Sequence, residues 1–90
     1  MKFMVSWKLP QRTFQPAIER FLATGGMPPK SVKLIGRWHS ASMKGVAIAE
    51  SNDAKGVYAW AATWADMIEI DVTPCLDDGE AAKVLKSLNR

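Results

Sequence analysis

The run SVKLIGRWHSASMKGVAIAE, Ser31 to Glu50, decides how this chain folds. As far as His39 it alternates. Val32, Leu34, Gly36 and Trp38 share one side, and Lys33, Ile35, Arg37 and His39 share the other, the period of two that a strand imposes on its side chains. Ser40 to Lys44 is small and polar enough to turn. Gly45 to Glu50 resumes the pattern, with Val46 and Ile48 opposed to Ala47 and Ala49. Two strands around a short turn make a hairpin. On this reading Val32, Leu34, Trp38, Val46 and Ile48 face a core, and Lys33, Arg37, His39, Ala47 and Ala49 face away from it.

Working toward the N-terminus, Met27-Pro28-Pro29 cannot continue a helix and forms a stiff entry to the hairpin. Gly25-Gly26 ends a helix that Thr13 can cap and whose first turn tolerates Pro16, with Phe14, Ile18, Phe21 and Leu22 on one face. Lys2 to Lys8 alternates as a strand, with Phe3, Val5 and Trp7 inward and Met4, Ser6 and Lys8 outward. Working toward the C-terminus, Ser51 or Asp53 can cap a second helix striped by Val57, Trp60, Ala61 and Trp64, which Gly56 weakens slightly. Met67 to Thr73 alternates again, with Ile68, Ile70 and Val72 inward and Glu69, Asp71 and Thr73 outward, until Pro74 stops the ladder. Asp77 and Glu80 have the spacing of a capping pair, and Ala81, Val84, Leu85 and Leu88 line one side of a short last helix. The order β-α-β-β-α-β predicts an α+β, ferredoxin-like antiparallel sheet with its helices on one face, followed by the short C-terminal helix. No repeat or linker divides residues 1–90, which read as one domain.

An apolar content of 48% with 23% charged residues fits a globular protein and not a disordered one. Cys75 is the sole cysteine and forms no internal disulfide, so a reducing compartment, the cytoplasm, is expected. The opening Met1 to Lys8 is too short and too charged for a signal peptide, and no apolar run is long enough to span a membrane. The net charge of +3 comes from lysines and arginines interleaved with acids, a mixed surface with no nucleic-acid patch. RNA-recognition modules share the strand order, and Lys44-Gly45 is similar to the start of their third-strand motif. Those modules stack bases on strand aromatics, whereas Val46 to Ala49 offers none.

The outward set gives the candidate site. Arg37 and His39 stand two apart on one strand and reach toward Ser6 and Asp71 if those residues share the face. Arg37 suits carboxylate or other anion recognition, and Ser6 and Asp71 complete a polar lining for a small ligand. The plainer reading is ion pairing across the sheet. His39 is the one residue of a type that titrates near neutrality, which makes it the catalytic candidate, with Asp71 or Glu50 to orient it. The four tryptophans fall in phase with core stripes, and they would be pocket walls if a cavity opens among them. Cys75 reads as a packed residue, and one His with one Cys cannot close a metal site. No metal and no cofactor are expected.

Met1 to Trp7, Lys33-Leu34-Ile35-Gly36-Arg37-Trp38-His39, the helix around Trp60 and Trp64, and Val72-Thr73-Pro74 together resemble a family of short bacterial proteins catalogued as domain of unknown function 3303. The resemblance spans almost the whole chain, and Gly36-Arg37-Trp38-His39 is its most specific part. It implies a fold similar in strand order to the dimeric α/β-barrel proteins, among them haem-degrading and quinone-forming monooxygenases, isomerases and non-catalytic subunits. Asn52, Trp64 and His39 are of the types that haem-degrading members use, without a motif that aligns them. The expectation is a cytoplasmic homodimer binding a small, anionic molecule on the polar sheet face. The alternatives are an assembly domain without catalysis and, third, a cofactor-independent monooxygenase- or isomerase-like enzyme.

Overall fold

The structure is a computed structural model that describes residues 1–88; residues 89 and 90, the end of the 1–90 unit, lie outside the described residues. The elements are β1 (Lys2–Lys8), α1 (Phe14–Thr24) entered through a 3-10 turn at Gln11–Thr13, β2 (Lys33–His39), β3 (Lys44–Glu50), α2 (Ala54–Trp64), β4 (Glu69–Cys75) and α3 (Asp78–Leu88). The four strands form one sheet in the order β2-β3-β1-β4, and every neighbouring pair is antiparallel. This is the ferredoxin-like arrangement, with α1 and α2 on one face.

The pairing of β1 with its neighbours fixes the faces. Phe3 lies opposite Ala49 and Pro74, and Val5 lies opposite Ala47 and Val72. Phe3, Val5, Ala47, Ala49, Val57 and Trp60 therefore meet in one core with Val32. This reverses the expectation for β3: Ala47 and Ala49 are completely buried, while Val46 and Ile48 sit on the open face opposite Ser6 and Met4. The reason is volume. Phe3, Val5 and Trp7 on β1 and Trp60 on α2 fill the layer between sheet and helices, so β3 has room for methyl groups only.

A second reversal occurs in β2. Leu34 pairs with Ala49 but Gly36 pairs with Ile48, so Ile35 is an extra residue at a β-bulge. The bulge shifts the alternation by one. Arg37 and His39, opposite Ala47 and Gly45, turn to the helix-covered face, and Trp38 turns to the open face, where it is 61% exposed.

Smaller features depart from expectation for local reasons. Thr13 sits at the N-cap of α1, but its hydroxyl donates to the Met67 carbonyl (2.6 Å) and ties the helix start to the loop before β4. On α1 Ala17 is buried and Leu22 points to solvent. Asp53 caps α2 by accepting from the Lys55 amide (3.1 Å). Gly56 has a packing role, because a Cβ there would run into the Ser31 hydroxyl where α2 crosses the entry to β2. Pro74 lies inside β4, a place open to it because β4 is an edge strand.

The expected capping pair of α3 is present: the Glu80 amide donates to Asp77 Oδ1 (2.8 Å) and the Asp77 amide to Glu80 Oε1 (3.1 Å). Lys2 lies 3.5 to 3.6 Å from Glu50, Asp77 and Glu80 and so links the start of α3 to the sheet. Beyond that link α3 packs little, with Ala81 and Ala82 half-buried and the rest exposed. No residue of it is buried, and Val84, Leu85 and Leu88 are 50%, 63% and 74% exposed. The radius of gyration, 15.0 Å, exceeds the roughly 12 Å of a compact chain of this length, as an unpacked terminal helix requires.

Candidate functional site

The site grows from the small residues of β3. Because Ala47 carries only a methyl group, the Arg37 side chain opposite it crosses the helix-covered face and reaches the end of α1. There Gly25 and Gly26 turn the chain in the left-handed region, with φ of 75° and 58°, which a glycine adopts without strain. Gly25 donates back to the Phe21 carbonyl (2.7 Å), leaving the Gly25 and Gly26 carbonyls unpaired within the helix. Arg37 donates to both (2.8 Å each) while its guanidinium lies 5.0 Å from the centre of the Phe21 ring. The Trp60 indole N–H also donates to the Gly26 carbonyl (3.3 Å).

Gly45 does for Trp7 what Ala47 does for Arg37. A Cβ at Gly45 would overlap the Trp7 indole, so the missing side chain lets that ring lie across β3 to within 5.7 Å of His39, edge on. Phe21 approaches the other side of His39 at 5.3 Å. These groups enclose a cavity of about 90 Å³ walled by Trp7, Phe21, Trp60 and Trp64, with Arg37 and His39 as its polar members. It is an apolar pocket with few convergent polar groups, the usual composition of a small-molecule site. In size it falls below the roughly 150 Å³ that an apolar cavity needs to take up benzene.

Arg37 is the electrostatic centre of this pocket. No carboxylate pairs with it among the described residues. Burial pushes the guanidinium down from its ordinary value, although an arginine stays protonated near neutrality. Among the described residues its charge is met by carbonyl dipoles at the negative end of α1 and by the face of the Phe21 ring.

The four residues expected to share one face are divided. Ser6 and Asp71 oppose each other on the open face, beside Lys8, Lys44 and Glu69, in a shallow depression of about 370 Å³. Asp71 accepts from the Thr73 hydroxyl (3.4 Å). The depression is larger than the inner cavity but lies open to water, so a ligand there keeps most of its hydration. Trp7 and Ile70 line both spaces.

The His39 imidazole has ring contacts and no hydrogen bond or ion pair among the described residues. Asp71 is on the opposite face, and Glu50 lies five residues along β3 from the partner of His39, roughly 17 Å away. Neither can orient the imidazole. Trp64 and His39 line the same cavity, but Asn52, in the turn before α2, does not. Among the described residues no three His, Cys, Asp or Glu side chains gather as a metal site would need, and no helix is long and apolar enough to cross a membrane.

With this geometry in place, the comparisons supply the relationship. The chain belongs to the DUF3303 family. The match, to the family described as domain of unknown function (DUF3303), covers residues 1–89. Comparison with curated proteins and with solved structures gives no match. Membership in DUF3303 thus carries a relationship over the whole chain and no activity. The Gly36-Arg37-Trp38-His39 string, most specific in the resemblance to DUF3303, is the string that the bulge redirects. Arg37 and His39 line the cavity, and Gly36 lies on the open face under the Trp38 ring, where a Cβ would come within 2.5 Å of the indole. The signal for this arrangement was the row Gly45, Ala47, Ala49, small residues at every second position, which marks where bulky partners from other strands cross.

Proposed function

We propose that this DUF3303 protein is a cytoplasmic homodimer that binds a small anion with a short apolar body in the cavity between sheet and helices. The site expected on the open sheet face moves to the covered one. The observation that carries the reading is Arg37: a half-buried cation without a carboxylate partner among the described residues, on the wall of an otherwise aromatic cavity. Two of its N–H groups hold the α1 carbonyls, and the rest remain to meet an acceptor. A charge-assisted bond in such surroundings is worth about 1.5–3 kcal/mol, tenfold or more in affinity. His39 at the exposed rim adds a second polar contact. Support for a dimer comes from the open face, where Met4, Ile35 and Trp38 are exposed together. The lone Cys75 suits a reducing compartment.

Trp7, Trp60 and Trp64 line the cavity and so report on its occupancy. Propionate titrated against the intrinsic fluorescence should give a saturable change, at least tenfold tighter than that of 1-propanol, its uncharged counterpart. Arg37→Met and Arg37→Lys should both weaken propionate, the first more. Equal response to acid and alcohol, or none to either, would overturn the reading.

A second reading has its own observation. Arg37 bonding to Gly25 and Gly26 locks the end of α1 to β2, which is enough to explain its place in an assembly domain without ligand. In that case Arg37→Met lowers thermal stability and propionate raises it in neither protein. Catalysis ranks third, because among the described residues no group orients the His39 imidazole.

A further inference from the structure

Among the described residues two surfaces with apolar patches remain uncovered, and they fit each other. The first is the open sheet face. Met4, Val46, Ile48 and Trp38 form its centre, and β4 makes one edge acidic with Glu69 and Asp71. The second is the stripe Ala81, Val84, Leu85 and Leu88 of α3. An amphipathic helix of 11 residues is marginal in water unless its apolar face is buried, yet α3 leaves Val84, Leu85 and Leu88 exposed and stands off from the body.

We propose that α3 is an exchanged arm, its stripe packing on the open sheet face of a second copy of this chain while the partner's α3 covers the first. The proposal rests on the homodimer reading above and specifies how that dimer is built.

Area favours it. Strands of seven residues in a four-stranded sheet present a face of about 23 by 19 Å. A helix of 11 residues, about 16 Å long and 10 Å across, covers a third or more of that face. Exchange buries two such contacts, each from both sides, so the total is on the order of 1,000 Å² or above, where specific interfaces begin. One arm alone buries half of that. A closed two-fold exchange doubles the contact and leaves no open end to recruit a third copy.

The test uses the full chain, with subunit number read by native mass spectrometry and by light scattering at about 100 µM. The expected result is a dimer that becomes a monomer in Leu85→Lys/Leu88→Lys and also in Met4→Lys/Ile48→Lys, each variant keeping its far-UV spectrum. In a Cys75→Ser background, Leu85→Cys with Ile48→Cys should oxidise to a covalent dimer. A dimer that survives Leu85→Lys/Leu88→Lys but not the sheet variant would overturn the exchange and leave the homodimer standing. Oxidation within one chain would overturn it as well, because the arm then lies on its own sheet. A wild-type monomer would overturn both readings.

Discussion

The two faces of this sheet use the same strands and the same alternation, yet they are built on opposite rules. On the helix-covered face the large residues come from β1 and the helices, and β3 contributes Gly45, Ala47 and Ala49, so packing is limited by volume. On the open face Met4 and Trp38 are exposed and Val46 and Ile48 are half-buried beside them, with no helix packed over them, so volume is free and hydration decides. The comparison teaches that hydrophobicity does not say which side of a strand is inside when the layer is already full. A fully buried alanine and a half-buried valine on neighbouring positions follow from one crowded interior.

The largest expected difference between the faces is at tryptophan. Trp60→Ala, in the buried cluster, should cost about 3–5 kcal/mol. Trp38→Ala should cost under about 1 kcal/mol at a concentration low enough to keep the chain monomeric. Urea unfolding checks both, and equal costs would break the assignment of faces. Next comes β3 itself. Ala47→Leu overfills the covered face and should destabilise by about 1–3 kcal/mol, displacing Arg37, whereas Val46→Leu next to it should stay within about 0.5 kcal/mol.

A smaller effect is expected at the hairpin that joins the faces. Met43 holds φ of 64°, and the turn closes by the Ser40 amide donating to the Lys44 carbonyl (2.8 Å). Met43→Gly removes that left-handed cost and should add about 0.5–1 kcal/mol in thermal unfolding. A loss of stability would mean that the Met43 side chain packs after all.

The smallest effect is the dependence of the α3 anchor on pH. The Glu80 amide, and after it the charge of Lys2, hold the Asp77 carboxyl below its ordinary value. Its contribution is therefore present above the ordinary carboxylate range and is lost as pH falls through the lowered value. Glu80, with Glu50 and Asp77 behind it, raises Lys2, whose contribution is present below its ordinary value and lost as pH rises through the raised one. An NMR titration of Asp77 should show the depression, and Lys2→Met should return it only part of the way, because the Glu80 amide remains. Full return would place the cause in the ion cluster alone.

By itself, the sequence determined what depends on neighbours along the chain. The alternation of Lys2 to Lys8, the glycine stop at Gly25-Gly26, the Asp53 cap and the Asp77–Glu80 capping pair were all legible, and their order was enough for a ferredoxin-like sheet. Tertiary structure alone decided the faces of β2 and β3. Register is set by partners on other strands, and the one extra residue at Ile35 inverts everything after it. That inversion divided Arg37 and His39 from Ser6 and Asp71, and it placed the candidate site under the helices. Local periodicity carries no information about such a shift, because a bulge costs the strand little and the crowded core selects it from across the sheet.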